Sequence, residues 1–140
     1  MAKKTKIHCP RCRLPLVKVN YEGVEADMCS TCWGFWLDRG ELEDILDRRD
    51  LSFSEEERER ILDIRSASEP GPTAPAACPR CGKVMKRFHY DEIVHLVIDR
   101  CEEDGLWLDT GEIKKVQALA EKSEAVHKLL LRKLGFYSNA

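Results

Sequence analysis

At 140 residues, with 25 acidic against 23 basic side chains and a formal net charge of −2, the chain has room for one ordinary domain or two very small ones. No apolar stretch approaches the roughly 20 residues of a membrane span, which excludes a helical membrane protein. The negative balance disfavours strong non-specific binding to nucleic acid, and thiolates at filled metal sites would make it more negative.

The N-terminal Met1-Ala2-Lys3-Lys4-Thr5-Lys6 is basic but runs straight into Cys9 without a signal-peptide apolar region. A cytoplasmic protein with reduced thiols is therefore expected, and paired cysteines in that compartment favour metal over disulfides. Cys9-Pro10-Arg11-Cys12 and Cys29-Ser30-Thr31-Cys32 then form a Cys-x₂-Cys, sixteen-residue gap, Cys-x₂-Cys array. Two residues between paired cysteines let a tight turn direct both sulfurs at one ion, and four soft thiolates suit tetrahedral Zn²⁺. Between the pairs, Leu14 to Asn20 and Val24 to Met28 read as strands joined at Tyr21-Glu22-Gly23, with Phe35 to Leu37 as a third. Asp38 and Glu41 have the spacing of a helix-starting capping box, leading into Leu42, Ile45 and Leu46. A further helix is expected from Ser54, with Glu57 three residues on and Ile61, Leu62 and Ile64 as its apolar positions.

Residues 66–77 are rich in Pro, Ser and Ala and lack apolar periodicity, so they read as a semi-extended linker between a first unit, 1–65, and a second, 78–140. The second unit repeats the first: residues 8–46 align with 77–119. Cys78-Pro79-Arg80-Cys81 is intact, whereas its partner reads Cys101-Glu102-Glu103-Asp104. Val84 to Tyr90 and Ile93 to Ile98 would form the longer hairpin, and Asp109 with Glu112 repeats the capping spacing. The last helix carries Ile113, Val116, Leu119, Val126, Leu129, Leu130 and Leu134 and could stop at Gly135. Three successive leucines, Leu129 to Leu131, cannot all face one core. This helix is thus a candidate for docking between the ribbons, self-association or partner binding.

The expected fold is a small α+β, metal-stabilised protein: two zinc-ribbon units, each a β-hairpin plus third strand, each followed by α-helix. Units of roughly 40 residues rarely hold together on a core alone, and structural zinc supplies on the order of 10–16 kcal/mol in comparable peptides. The metal ligands read from the spacing are Cys9, Cys12, Cys29 and Cys32 at the first site. Cys78, Cys81 and Cys101 supply the second, with Asp104 in the fourth slot; the alternatives there are His89 or His95, a water, or an empty site in a unit that relies on its core. A three-ligand zinc could activate water with Glu102 or Glu103 as base, which is the enzymatic alternative; a thiol redox or chaperone switch is another.

Taken together, the array, the repeat and the Trp-Leu-Asp-x-Gly-Glu ending make the sequence resemble the bacterial transcription-factor-IIB-type zinc ribbon family. Two tandem copies are present, the second degenerate. Copy one carries the resemblance through its four cysteines, Gly34-Phe35-Trp36-Leu37-Asp38 and Gly40-Glu41-Leu42; copy two does so through Cys78 to Cys81, Cys101, Gly105-Leu106-Trp107-Leu108-Asp109 and Gly111-Glu112-Ile113. Copy two lacks a counterpart of Trp33. The family name implies an association with transcription, and four protein ligands at the first site, with no open position for a catalytic water, imply a non-enzymatic zinc protein. Trp36 and Trp107 are expected as core covers, and His8 and His127 as surface residues. Trp33 is expected to pack on the following helix, with an anchor for a partner as the alternative. Residues 1–20 hold six bases and no acid, and residues 21–63 hold fourteen acids against five bases. The partner is therefore left between nucleic acid, met by basic knuckles, and protein, with no membrane.

Overall fold

A computed structural model describes residues 6–47, 53–62, 74–91 and 96–122, with Lys128 and Arg132. Among these described residues nine elements follow in chain order. They are β1 (Val17–Tyr21), β2 (Val24–Met28), β3 (Phe35–Asp38), α1 (Glu41–Leu46), α2 (Glu55–Leu62), β4 (Lys86–Asp91), β5 (Leu96–Cys101), β6 (Gly105–Leu108) and α3 (Glu112–Lys122). This is the α+β arrangement of two antiparallel three-stranded units, each followed by helix. The leucine-rich segment beyond α3, His95, His127 and linker residues 66–73 lie outside the described residues.

Local chemistry accounts for the elements. Glu22 (φ 50) and Gly23 (φ 90) form a two-residue turn with both φ positive, the geometry that matches the twist of a hairpin. Asn20 Oδ1 accepts from Gly23 N–H at 2.7 Å, which fixes that turn. The start of α2 is a complete capping box: Ser54 N–H donates to Glu57 Oε1 at 2.9 Å, and Glu57 N–H to Ser54 Oγ at 3.1 Å.

Only half of the box expected at α1 and α3 forms. Glu41 reaches back to the Asp38 N–H at 2.8 Å and Glu112 to the Asp109 N–H at 2.9 Å. The residue at the α1 N-cap is Gly40, with φ 91 and no side-chain cap bond. The Asp38 and Asp109 carboxylates are engaged elsewhere, as shown below.

All six strands form one sheet in the order β1-β2-β3-β6-β5-β4. The two units meet at its centre, where β3 and β6 run antiparallel. Trp36 stands opposite Trp107, Phe35 opposite Leu108, Leu37 opposite Leu106, and Asp38 opposite Gly105. The arrangement is a pseudo-two-fold, with equivalent strands related across the β3–β6 seam. Strand alternation then sorts side chains into two buried clusters. One joins Leu37, Ile98, Leu106 and Leu108 to Leu42 and Ile45 of α1 and Ile113, Val116 and Leu119 of α3. The other is built around Trp36 and Trp107 and contains Cys9, Cys29, Cys78 and Cys101 together with Leu16 and Met85. Each cluster draws residues from both copies of the repeat.

The candidate metal centres and the bridge between them

The two knuckles of copy one are similar turns. Arg13 N–H donates to Cys9 carbonyl, and Trp33 N–H to Cys29 carbonyl, both at 2.8 Å. In each turn backbone N–H groups also face the leading sulfur: Arg11 and Cys12 lie 3.3 and 3.2 Å from Cys9 Sγ, and Cys32 N lies 3.5 Å from Cys29 Sγ. Copy two repeats this at Cys78, whose carbonyl accepts from Gly82 N–H at 2.8 Å and whose Sγ lies 3.4 Å from both Arg80 N and Cys81 N. Amide dipoles aimed at a sulfur favour its thiolate, the form that binds metal.

The β1–β2 hairpin brings the knuckles of copy one together. The four Sγ atoms of Cys9, Cys12, Cys29 and Cys32 lie within 4.8 Å of one another, as do the ligand atoms of Cys78, Cys81, Cys101 and Asp104. Tetrahedral zinc with bonds of about 2.3 Å to sulfur and about 2.0 Å to oxygen requires S···S edges of about 3.8 Å and S···O edges of about 3.5 Å. Cys9 and Cys32 are 3.7 Å apart, and Cys81 and Cys101 are 3.8 Å apart. Asp104 Oδ2 stands 3.3 Å from Cys78 Sγ and 3.6 Å from Cys101 Sγ. Both groups therefore fit Zn²⁺ in size and donor type, and all seven cysteines are free of disulfides.

Without metal the sulfurs differ. Burial pushes the Cys78 thiol up to about 12 and also raises Cys32 and Cys101. At Cys29 burial pulls the same way, but the backbone N–H groups of Cys32 and Thr31 and the neighbouring thiols outweigh it and bring the group down to about 7. Zinc binding must therefore displace protons from Cys32, Cys78 and Cys101.

Residues 8–48 match the family model described as "Transcription factor zinc-finger", a zinc ribbon of the transcription-factor-IIB type. The match spans the first four-cysteine unit and α1. No curated protein and no solved structure matches the chain. The second unit stands on the internal repeat and on the Cys78, Cys81, Cys101 and Asp104 cluster.

The remaining residues singled out in the sequence fall as follows. Trp36 and Trp107 are both 0% exposed. His8 is exposed. Trp33 departs from the expectation of packing on the following helix: it is 56% exposed, with φ 62. Its place directly after the second cysteine of the knuckle demands the left-handed conformation, taken by Arg13 (φ 67) and Gly82 (φ 83) at the equivalent positions. Copy two passes from Asp104 to Gly105 without such a residue, so the bulge carrying Trp33 has no counterpart.

Glu103 is exposed and 3.9 Å from Lys83, and Glu102 accepts from Arg100 at 2.9 Å. Both carboxylates are thus engaged by cations. The side chain of His89 lies outside the described residues.

Sequence reasoning missed a set of charges that crosses the seam. Arg11, inside the first knuckle, forks onto Asp109 of copy two, with Nε 3.1 Å from Oδ1 and Nη2 3.2 Å from Oδ2. The same guanidinium reaches Asp99 Oδ2 at 3.1 Å and the Ala74 carbonyl at 2.8 Å. Arg80, inside the equivalent knuckle, forks onto Asp38 of copy one at 2.7 and 3.0 Å. Each acceptor also takes the indole N–H of its own tryptophan: Trp36 to Asp38 and Trp107 to Asp109, both at 2.9 Å. Asp99, 1% exposed, is further held by Arg87 at 3.0 Å, and its counterpart Asp27 by Lys18 at 3.1 Å. The available signal was that both arginines and both aspartates sit at equivalent places in the repeat.

Proposed function

We propose that the chain is a non-enzymatic zinc protein whose task is to bind a protein partner through the first ribbon, with Trp33 as the anchor. The observation that carries this reading is Trp33 itself, a large aromatic residue 56% exposed at the tip of a metal-braced turn and absent from the second copy. Leu14 and Val17, also exposed, add apolar surface in the same unit. Aromatic anchors on rigid supports are the usual centres of binding energy at protein interfaces.

The charge arrangement favours protein over nucleic acid. Arg11 and Lys18 of the basic first twenty residues, and Arg80 and Arg87 in copy two, are each paired with a carboxylate of the chain. A positive face left for phosphates is correspondingly reduced. The description of the matched family directs the search for a partner to the transcription machinery.

In this reading Cys9, Cys12, Cys29 and Cys32 ligate one zinc ion, and Cys78, Cys81, Cys101 and Asp104 a second. Four protein ligands at each site leave no position for a catalytic water, so the metals shape the surface rather than react. A photo-crosslinking amino acid at position 33 should give a discrete protein adduct in cells, and Trp33→Ala should weaken the same partner by at least tenfold in a purified titration. DNA or RNA binding by the zinc-loaded chain that weakens steeply with salt and is indifferent to Trp33→Ala would overturn the reading in favour of nucleic acid.

A further inference from the structure

We infer that the two metal sites are thermodynamically coupled: zinc at one site raises the affinity of the other, with Arg11 and Arg80 as the positioning residues that carry the coupling. The inference rests on zinc as the metal and is independent of which partner the protein binds.

Each of the four ligand-bearing turns is joined to the opposite copy by a contact of its own. Arg11 lies between Cys9 and Cys12, so the turn that presents these two sulfurs also presents the guanidinium that grips Asp109 and Asp99. Arg80 lies between Cys78 and Cys81 and grips Asp38 in the same way. The second knuckles are held as well. Thr110 Oγ1, from copy two, donates to the carbonyl of Cys32, and Arg39 N–H, from copy one, donates to the carbonyl of Asp104 at 3.2 Å. Both sites are therefore latched at two points by the other half.

Packing repeats the pattern. A Cβ on Gly34, in the second knuckle of copy one, would stand 2.3 Å from Cζ2 of Trp107. A Cβ on Gly105, next to Asp104, would stand 3.0 Å from Cζ2 of Trp36. Each tryptophan thus lies against the ligand turn of the other copy, and its indole N–H is fixed by the aspartate that the other copy's arginine grips.

An unliganded site has four sulfurs, or three and a carboxylate, with no ion to hold them at these spacings. Its turn then holds its arginine in place less firmly, and the aspartate across the seam loses its partner. Binding at one site restores that geometry before the second ion arrives, so the second ion meets a partly ordered site. This is coupling through a shared element that both ligands favour in the same state, and it must act equally in both directions.

The two sites are chemically unequal, so the population of the one-zinc form does not by itself measure coupling. The decisive experiment is a competition titration of Zn²⁺ against a chromophoric chelator, using the full chain, with native mass spectrometry counting ions. In the otherwise unaltered chain, Cys81→Ser, which disables the second site at its exposed cysteine, should weaken the first site about tenfold, within the usual range of site-to-site coupling. Cys12→Ser should weaken the second site by a similar factor. In the Arg11→Gln/Arg80→Gln background the effect of Cys81→Ser should shrink to about twofold or less, far below the usual range for coupled sites.

First-site affinity untouched by Cys81→Ser overturns the inference, as does an equal loss in both backgrounds. Where Cys81→Ser prevents folding, Asp104→Ala, which leaves three thiolates in place, is read by the same titration against the same two criteria. A chain that takes up no zinc at all registers as zero ions and defeats the metal reading instead, so the two failures are distinct.

Discussion

The seam between β3 and β6 can be tested with a single methyl group. In Gly105→Ala the new Cβ would stand 2.1 Å from the carbonyl oxygen of Leu37 and 3.1 Å from the Cα of Asp38. Carbon and carbonyl oxygen come no closer than about 3.3 Å even in favourable contacts, so β6 must retreat from β3 by about 1 Å. The two obstructing atoms are backbone, and no rotamer change relieves them. A retreat of that size carries seam hydrogen bonds past about 3.5 Å, where they cease to be bonds. Overpacking of about 1–3 kcal/mol and the loss of one or two bonds at about 1 kcal/mol each give an expected cost of about 3 kcal/mol.

Gly40→Ala is the matched control. Nothing lies within 4 Å of its Cβ, but φ is 91, so the cost is conformational, about 1–2 kcal/mol. Urea unfolding at fixed free zinc, followed by tryptophan fluorescence, reads both variants; free zinc must be held constant because the metal itself stabilises the folded state. Gly105→Ala within about 0.5 kcal/mol of the parent, or less damaging than Gly40→Ala, would refute the seam geometry.

Arg11→Leu should cost about 2 kcal/mol in the same assay, because it strips a charged partner from Asp109 and from buried Asp99. The loss is held below that of a fully orphaned charge because Arg87 still reaches Asp99 at 3.0 Å, and a change under about 0.5 kcal/mol would contradict it. Trp33→Ala, by contrast, removes an exposed side chain and should move stability by no more than about 0.5 kcal/mol, so a large drop would show that Trp33 is part of the fold. Burial first, and then the charge of Asp109, raise the Glu112 carboxyl from 4.5 to about 8. The folded chain thus keeps a proton that the unfolded chain releases above about 4.5. Its contribution is full below that pH, declines as pH rises towards 8, and is constant above. Glu112→Gln should flatten the urea midpoint across that window relative to the parent, and parallel profiles would count against the burial argument.

What could be read from the chain depended on how local the encoding is. The Cys-x₂-Cys pairs announce a metal because the spacing itself builds the turn, and the sulfurs of Cys9 and Cys32 do meet at 3.7 Å. Asp104 was legible by alignment with an intact knuckle, and its oxygen falls 3.3 Å from Cys78 Sγ. Strand existence was legible from alternation and turn residues, although β1 begins at Val17 rather than at Leu14. Asp38 and Asp109 were misread because Asp-x-x-Glu is a helix-start signal whenever the aspartate is otherwise idle. Here a tryptophan and a distant arginine compete for it and win with charge-assisted bonds. The exposure of Trp33 was not legible, because the knuckle spacing puts it in a left-handed turn (φ 62) but does not say whether the side chain meets a helix or solvent.

By itself the sequence determined which residues could form the two donor sets, the hairpins and the doubled unit, since each depends on residues a few positions apart or one hairpin apart. Only the tertiary structure decided that the two ribbons share one six-stranded sheet, with Trp36 opposite Trp107 and the arginine of each knuckle latched to the other copy's aspartate. The physical reason is that a strand's free edge accepts any partner of matching hydrogen-bond pattern. The choice falls where glycines 34 and 105 permit close approach and where Asp38 and Asp109 meet the knuckle arginine of the opposite copy. Those conditions join residues as far apart as Arg11 and Asp109, and no local period in the chain records them.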